Sequence, residues 1–267
     1  MSRSVLFAAA IPAAALTLLA TGVAQVAPTQ ATFDGAKPGI LVELFTSEGC
    51  SSCPPADALL RQLDAQSAKT PTQIVVLGEH VDYWDGPGWH DRFSSREYTD
   101  RQEEYARRFR IDSPYTPEMV VDGKSEFTGN DAPRLQAALR EAASHSKALL
   151  SISAEEINPS ELLVHLNSGP LPEGSKHADL YLALADNQDQ TQVGGGENSG
   201  TRLEHVAVLR SLQKAGRVSA EGGQQQVKLR LPKSSAPANL RLVAFVQESG
   251  NGAVLGAAVK LLAEPTR

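Results

Sequence analysis

Two cysteines three positions apart, Cys50 and Cys53, are the whole cysteine content of this 267-residue chain. A Cys-x-x-Cys pair can exchange disulfides, staple a loop, or ligate a metal with further ligands. The staple is weak, because closing so short a loop constrains the unfolded chain by only about 2 kcal/mol. A metal needs three or four ligands, and His80 is the candidate third for a Cu(I)-type trio Cys50, Cys53 and His80. Met1 and Met119 are the only methionines, so no Met-rich stretch supports such a site. Exchange needs a thiolate and a reachable partner sulfur, and it is the chemistry this pair supports best.

The elements around the pair must supply that thiolate. The run LVELFTSEGCSSCPPAD (41–57) passes from an apolar, β-favouring stretch through a Ser/Gly turn into a helix-like segment. A free thiol with a pKa of about 8.5 is mostly protonated at neutral pH, and the unpaired N–H groups at a helix N-terminus favour its charged form. Pro54 and Pro55 suit the first helical turn, which does not need their missing N–H groups. Cys50 is then expected just ahead of the helix, exposed, as the attacking thiol, with Cys53 as the covered resolving thiol.

Up to residue 147, short apolar runs alternate with charged helical stretches, the pattern of an α/β layer. Strands are expected at 40–45 and 74–78, and helices at 57–66, at 131–146 and from a Ser94/Ser95 cap through 110. A hairpin is expected at 119–128, turning at Asp122-Gly123. From residue 148 strand signals dominate, at 149–152, 162–166, 178–185, 206–209, 227–231, 240–247 and 254–262, with turn-rich punctuation that suggests a β-sandwich. The stretch 203–214 also fits a helix, and periodicity leaves that open.

Several separated motifs carry a resemblance. LVELFTSEGCSSCPPAD, HVDYWDGPGW (80–89), YTPEMVVDG (115–123) and GENSG (196–200) resemble secreted bacterial proteins of domain-of-unknown-function family 1223, within the thioredoxin-like superfamily. The resemblance implies an α/β, thioredoxin-like N-terminal domain over roughly residues 37–147, ahead of the C-terminal antiparallel β-sandwich that the strand pattern suggests. It implies that Glu43, in the strand before the cysteines, is a buried acid serving Cys53. It also implies that Thr116-Pro117 is a cis peptide facing the pair across a substrate groove. Thioredoxins carry Gly-Pro between their cysteines and this chain carries Ser-Ser, which leaves the direction of electron flow open.

The loop 80–89 holds both tryptophans of the chain. With Thr116, its Tyr83, Trp84, Trp89 and His80 are candidate substrate-binding residues, the aromatic faces gripping an extended polypeptide; packing between domains is the competing role. His90, His145, His165, His177 and His205 have no partner spacing and are expected to be surface or structural. GGGENSG (194–200) lacks P-loop and dinucleotide spacing and reads as an inter-strand loop, with Glu197 and Arg202 a functional edge if it folds back over the dithiol.

Ser2-Arg3-Ser4, the uncharged stretch 5–20 and the small residues 22–24 read as a signal peptide over 1–24. The expected organisation continues with a linker at 25–36, the thioredoxin-like domain at 37–147 and the sandwich at 148–267. The formal net charge is −6, and losing 1–24 removes Arg3 and no acid. No basic block recommends nucleic acid or anionic lipid, and no stable membrane span is expected after cleavage. The expected protein is periplasmic or secreted, needs no cofactor, and acts on protein or small-molecule thiols and disulfides with a redox partner protein. A copper-binding carrier and a redox-silent adaptor of the cell envelope are the alternatives.

Overall fold

A strand of eight buried residues, β1 (Gly39–Thr46), runs through the middle of the sheet that holds the cysteines. Burial on both faces explains its nearly continuous apolar sequence. The computed structural model describes residues 33, 35–67, 70–86, 88–232 and 236–262. The expected signal peptide and most of the expected linker lie outside them. Among the described residues no helix is long and apolar enough to cross a membrane.

The chain continues through α1 (Pro54–Ser67), β2 (Gln73–His80), α2 (Arg96–Phe109), β3 (Glu118–Val121), β4 (Ser125–Thr128) and α3 (Ala132–Ala143). Then follow β5 (Leu150–Asn158), β6 (Glu161–Ser168), β7 (His177–Gln192), β8 (Arg202–Ser219), β9 (Gly223–Arg230), β10 (Leu240–Gln247) and β11 (Val254–Leu261). The fold is mixed α/β, with an eight-stranded, mostly antiparallel sheet ordered β11-β10-β7-β8-β2-β1-β3-β4 and a three-stranded sheet ordered β5-β6-β9. Most expected elements appear close to their expected bounds, but β5 and β8 run well past the expected 149–152 and 206–209, and residues 203–214 lie inside β8. The Ser95 side chain caps α2 by accepting from the Glu97 N–H, and the Asp131 side chain caps α3 through the Arg134 N–H.

The change of sequence character near residue 147 does not divide the packed body. The described residues form one compact unit, and β8 joins β2 in parallel at Gly78 and Val208. Gly78 makes that approach possible: a Cβ there would sit 3.1 Å from the Val206 carbonyl oxygen. The seven later strands therefore do not form a sandwich closed on itself. The small sheet covers the β7–β10 end of the large one through Leu150, Leu162, Val164 and Leu166 against Leu180, Leu182, Leu240 and Leu242.

Strand alternation then sorts the rest of the large sheet into two faces. Ile40, Val42 and Leu44 meet Leu60, Leu63 and Leu135 of α1 and α3, together with Val206 and Ala207 of β8. Leu41, Val75 and Leu77 meet Tyr98 of α2 and Phe245 of β10. Burying each such side chain contributes about 1.5–3 kcal/mol, so the face toward α1 is held partly by residues 160 positions downstream.

Candidate functional site

Cys50 and Cys53 stand at the junction of β1 and α1, where a turn is closed by the Cys53 N–H to the Cys50 carbonyl at 3.2 Å. The helix begins at Pro54, and the Ala56 and Asp57 N–H groups both reach back to the Cys53 carbonyl. The two sulfurs are joined in a disulfide, with the Cα atoms 5.5 Å apart. Both cysteines are fully buried, which corrects the expectation of an exposed Cys50.

The cover comes from the distant turn between β7 and β8. Asn198 donates to the carbonyls of Glu48 and Cys50, both at 2.9 Å. Glu197 accepts from the Ser51 N–H at 3.2 Å. The loop thus folds back over the disulfide with Glu197 at its edge, while Arg202 instead donates to Gln190. The loop seats closely because it is glycine-rich: a Cβ on Gly195 would come within 1.9 Å of the Gly88 carbonyl oxygen.

On the other side lie the aromatic loop and the proline. Trp84 donates to the Thr116 hydroxyl at 2.7 Å, and Ser52 donates to the Thr116 carbonyl at 3.4 Å. The Thr116–Pro117 bond is cis. Tyr83 and Trp84 are two of the four exposed large hydrophobic residues among those described, at 44% and 36%. The Tyr83 hydroxyl donates to Gln102, and burial pushes it up to about 12. Trp89 is not part of that wall, because it donates to Glu48 at 3.0 Å and packs on the 194–196 glycines.

Beneath the pair, on the α1 face, is a buried polar cluster. His80 is held by Asp91 at 2.7 Å. Burial pushes Asp91 up, but His80 and the N–H groups of Glu48 and Phe93 outweigh it and hold the carboxyl at about 2. Burial works against charge on His80, yet Asp91, Asp57 and Glu48 raise its pKa above the usual value. Asp57, one helical turn beyond Cys53, is raised by burial, with His205 and His80 pulling the other way. The His205 ring lies 4.8 Å from that of His80, with its Nε2 3.5 Å from Glu48.

Glu43 does not serve Cys53. Strand alternation turns it to the opposite face, where Arg101 donates to it at 2.7 Å and Tyr105 donates at 2.7 Å. The trio Cys50, Cys53 and His80 is not assembled as a ligand set: among the described residues no group of three His, Cys, Asp or Glu can hold a metal ion. Glu48, Asp57, Asp91, Asn198 and His205 were not singled out from sequence, since their partners are long-range and no local spacing marks them.

The family model described as Protein of unknown function (DUF1223) matches residues 41–247. A crystal structure of a protein from Agrobacterium tumefaciens is similar at 27% identity and a TM-score of 0.63, over 85% of this chain and 96% of that one. A domain of the outer membrane lipoprotein Omp28 from Porphyromonas gingivalis is 17% identical with a TM-score of 0.28, over 43% of this chain and 86% of that one. No curated protein matches. The family match spans more than half of the sequence, and the chain belongs to the DUF1223 family.

Proposed function

We propose that this member of the family is an exported thiol–disulfide exchange protein, with a thioredoxin-like first half and Cys50 and Cys53 as its working pair. The observation that carries the reading is the disulfide at a strand-to-helix junction, with Pro117, Thr116 and the exposed Trp84 along one side. The succession β1–α1–β2–α2–β3–β4–α3, with the cysteines at its first β–α junction, supports the thioredoxin-like part. The substrates are protein or small-molecule thiols and disulfides, and the site is periplasmic or secreted, where disulfides persist.

Acting as a reductant, the Cys50 thiolate attacks a substrate disulfide, and one substrate sulfur leaves as a thiolate and takes a proton. Cys53 then loses its proton and attacks Cys50, releasing the second substrate thiol and leaving the Cys50–Cys53 disulfide. Two electrons pass from the pair to the substrate. As an oxidant, the protein runs the same steps in reverse. Tyr83 and Trp84 offer apolar faces to an approaching chain, and the Asn198 loop must lift before a protein sulfur reaches Cys50.

Complete burial of both cysteines favours one second reading, a redox-silent adaptor in which the disulfide only shapes the loop. Replacing Cys53 with Ala separates the two. An exchanger accumulates mixed disulfides through Cys50 on non-reducing gels, and they vanish when Cys50 is also replaced. No adducts, together with a wild-type disulfide that resists dithiol buffers, would leave the adaptor.

A further inference from the structure

Inside the Cys-Ser-Ser-Cys turn, the Ser52 hydroxyl lies 3.3 Å from the Cys50 sulfur. Resting on the exchange reading, we propose that Ser52 is a catalytic residue of the pair: its hydroxyl donates to the Cys50 sulfur and favours a thiolate there over one at Cys53.

A sulfur in a disulfide carries no hydrogen, so the hydroxyl is the donor of this contact. Its other acceptor is the Thr116 carbonyl at 3.4 Å, beyond the usual span of about 2.5–3.0 Å for an O–H···O bond. Sulfur is the larger atom, so 3.3 Å to it is the closer approach. A serine has one proton to give. The claim of Cys50 on that proton grows when its sulfur becomes a thiolate, because a hydrogen bond to a charged acceptor is about twice as strong as one between neutral groups.

The backbone holds the two side chains together without help from the S–S bond. The Cys53 N–H donates to the Cys50 carbonyl and the Cys50 N–H to the Ser47 carbonyl, each at 3.2 Å. Asn198 also donates to the Cys50 carbonyl at 2.9 Å. Ser52 is exposed while both cysteines are buried, so it stands on the solvent side of the pair. Among the described residues no other side chain hydrogen-bonds to either sulfur, which makes the two cysteines unequal. The carboxyls on the neighbouring segments, Glu48 and Glu197 of the flanking loops and Asp57 of α1, oppose a negative sulfur. The N-terminus of α1 favours one, and His80 of β2 lies beneath, bonded to Asp91. The Ser52 hydroxyl adds the contact that selects Cys50.

In the balanced step, one thiolate of an external dithiol attacks the Cys50 sulfur. The bond between the cysteines breaks, and Cys53 leaves with the electron pair and takes a proton from solvent. The donor's second thiolate then attacks the donor sulfur of the mixed disulfide, and Cys50 leaves as a thiolate that accepts from the Ser52 hydroxyl. The donor is oxidised to a disulfide, the pair is reduced by two electrons, and Ser52 keeps its proton throughout. In the opposite direction the same contact holds Cys50 as the attacking thiolate.

The test titrates the Cys50 thiolate by its ultraviolet absorbance between pH 4 and 10, in the full chain carrying Cys53→Ala, where Cys50 is the only thiol. Losing a hydrogen bond to a charged group should raise the Cys50 pKa by about one unit in Ser52→Ala. Ser52→Thr, which keeps a hydroxyl, should restore it. With both cysteines present at pH 8, Ser52→Ala should shift the equilibrium with glutathione several-fold toward the disulfide; this measurement carries the result if the Cys53→Ala chain does not fold. Ser52 is exposed, so neither substitution opens a cavity. An unchanged pKa and equilibrium in Ser52→Ala, or a change that Ser52→Thr does not reverse, overturns the role of the hydroxyl and leaves exchange standing. A wild-type disulfide that dithiothreitol never reduces overturns the exchange reading and this role together.

Discussion

The sheet carries one buried polar cluster on each face, and their bonding differs. On the α2 face, Arg101 spends its donors on Glu43, Asn251, Tyr105 and Gln247. Tyr105 closes onto Glu43, and Gln247 onto Tyr105 and the Gly252 carbonyl. On the α1 face, His80 and Asp91 are hydrogen-bonded and His205 meets Glu48 only at ion-pair range, while on the α2 face the two Glu79 oxygens lie outside the Arg101 hydrogen bonds and have no hydrogen-bond partner among the described residues. Glu43 and Glu79 turn one way and Thr46 and His80 the other, the latter two being paired across β1 and β2 and so on the same face. A cationic centre with its donors engaged from both halves of the chain behaves as a knot. The α1-face cluster, a hydrogen-bonded His80–Asp91 pair beside His205, has no such cationic centre tying the two halves together.

The largest test of that difference removes the knot's cation. Arg101→Met leaves the Glu43 charge buried without its partner and should cost about 3–5 kcal/mol in denaturant unfolding, whereas His205→Asn should cost far less. Equal losses would erase the distinction between the two clusters.

A second test is pH. Burial raises Glu79 well above its usual value, with Glu43 adding to the shift, and burial holds Glu118 at about 7. The folded chain keeps these protons where the unfolded chain releases them, so their contribution to stability is present at pH 4.5 and falls as pH rises toward 7. For Glu118 the loss is roughly 3 kcal/mol at most. Glu118→Gln should flatten the decline of the urea midpoint between pH 5 and 7, and an unchanged slope would refute the assignment.

The smallest effect on stability should come from the cover. Asn198→Ala removes two buried hydrogen bonds, about 1–2 kcal/mol, yet it should speed reduction and alkylation of Cys50 at least several-fold. Unchanged kinetics would mean that the loop does not gate the pair.

Much of this could be read from residue types, and the misses have particular causes. The β1–α1 junction and the 119–128 hairpin follow from local signals, and the cis Thr116–Pro117 bond follows from the family resemblance. The orientation of Glu43 does not, because all eight residues of β1 are buried and nothing in GILVELFT marks which face meets α1. Expecting Cys50 to be exposed required knowing what lies above it, and Asn198 is 148 positions away. His205 looked unremarkable for the same reason: its neighbours are residues 48, 57 and 80. The separation at residue 147 reflected a real change of pattern, but patterns do not report that β8 will dock beside β2.

That docking has a consequence in time. The strands that flank β1 on one side come from both ends of the described chain, β2 first and then β8, β7, β10 and β11. Such long-range pairing is slow to nucleate. A chain emerging from its N-terminus exposes Cys50 and Cys53 long before Asn198, His205 or Gln247 exist to enclose them. The two thiols, three residues apart, can therefore meet an oxidant while the chain is still open. A bond made at that stage would be enclosed by the finished fold.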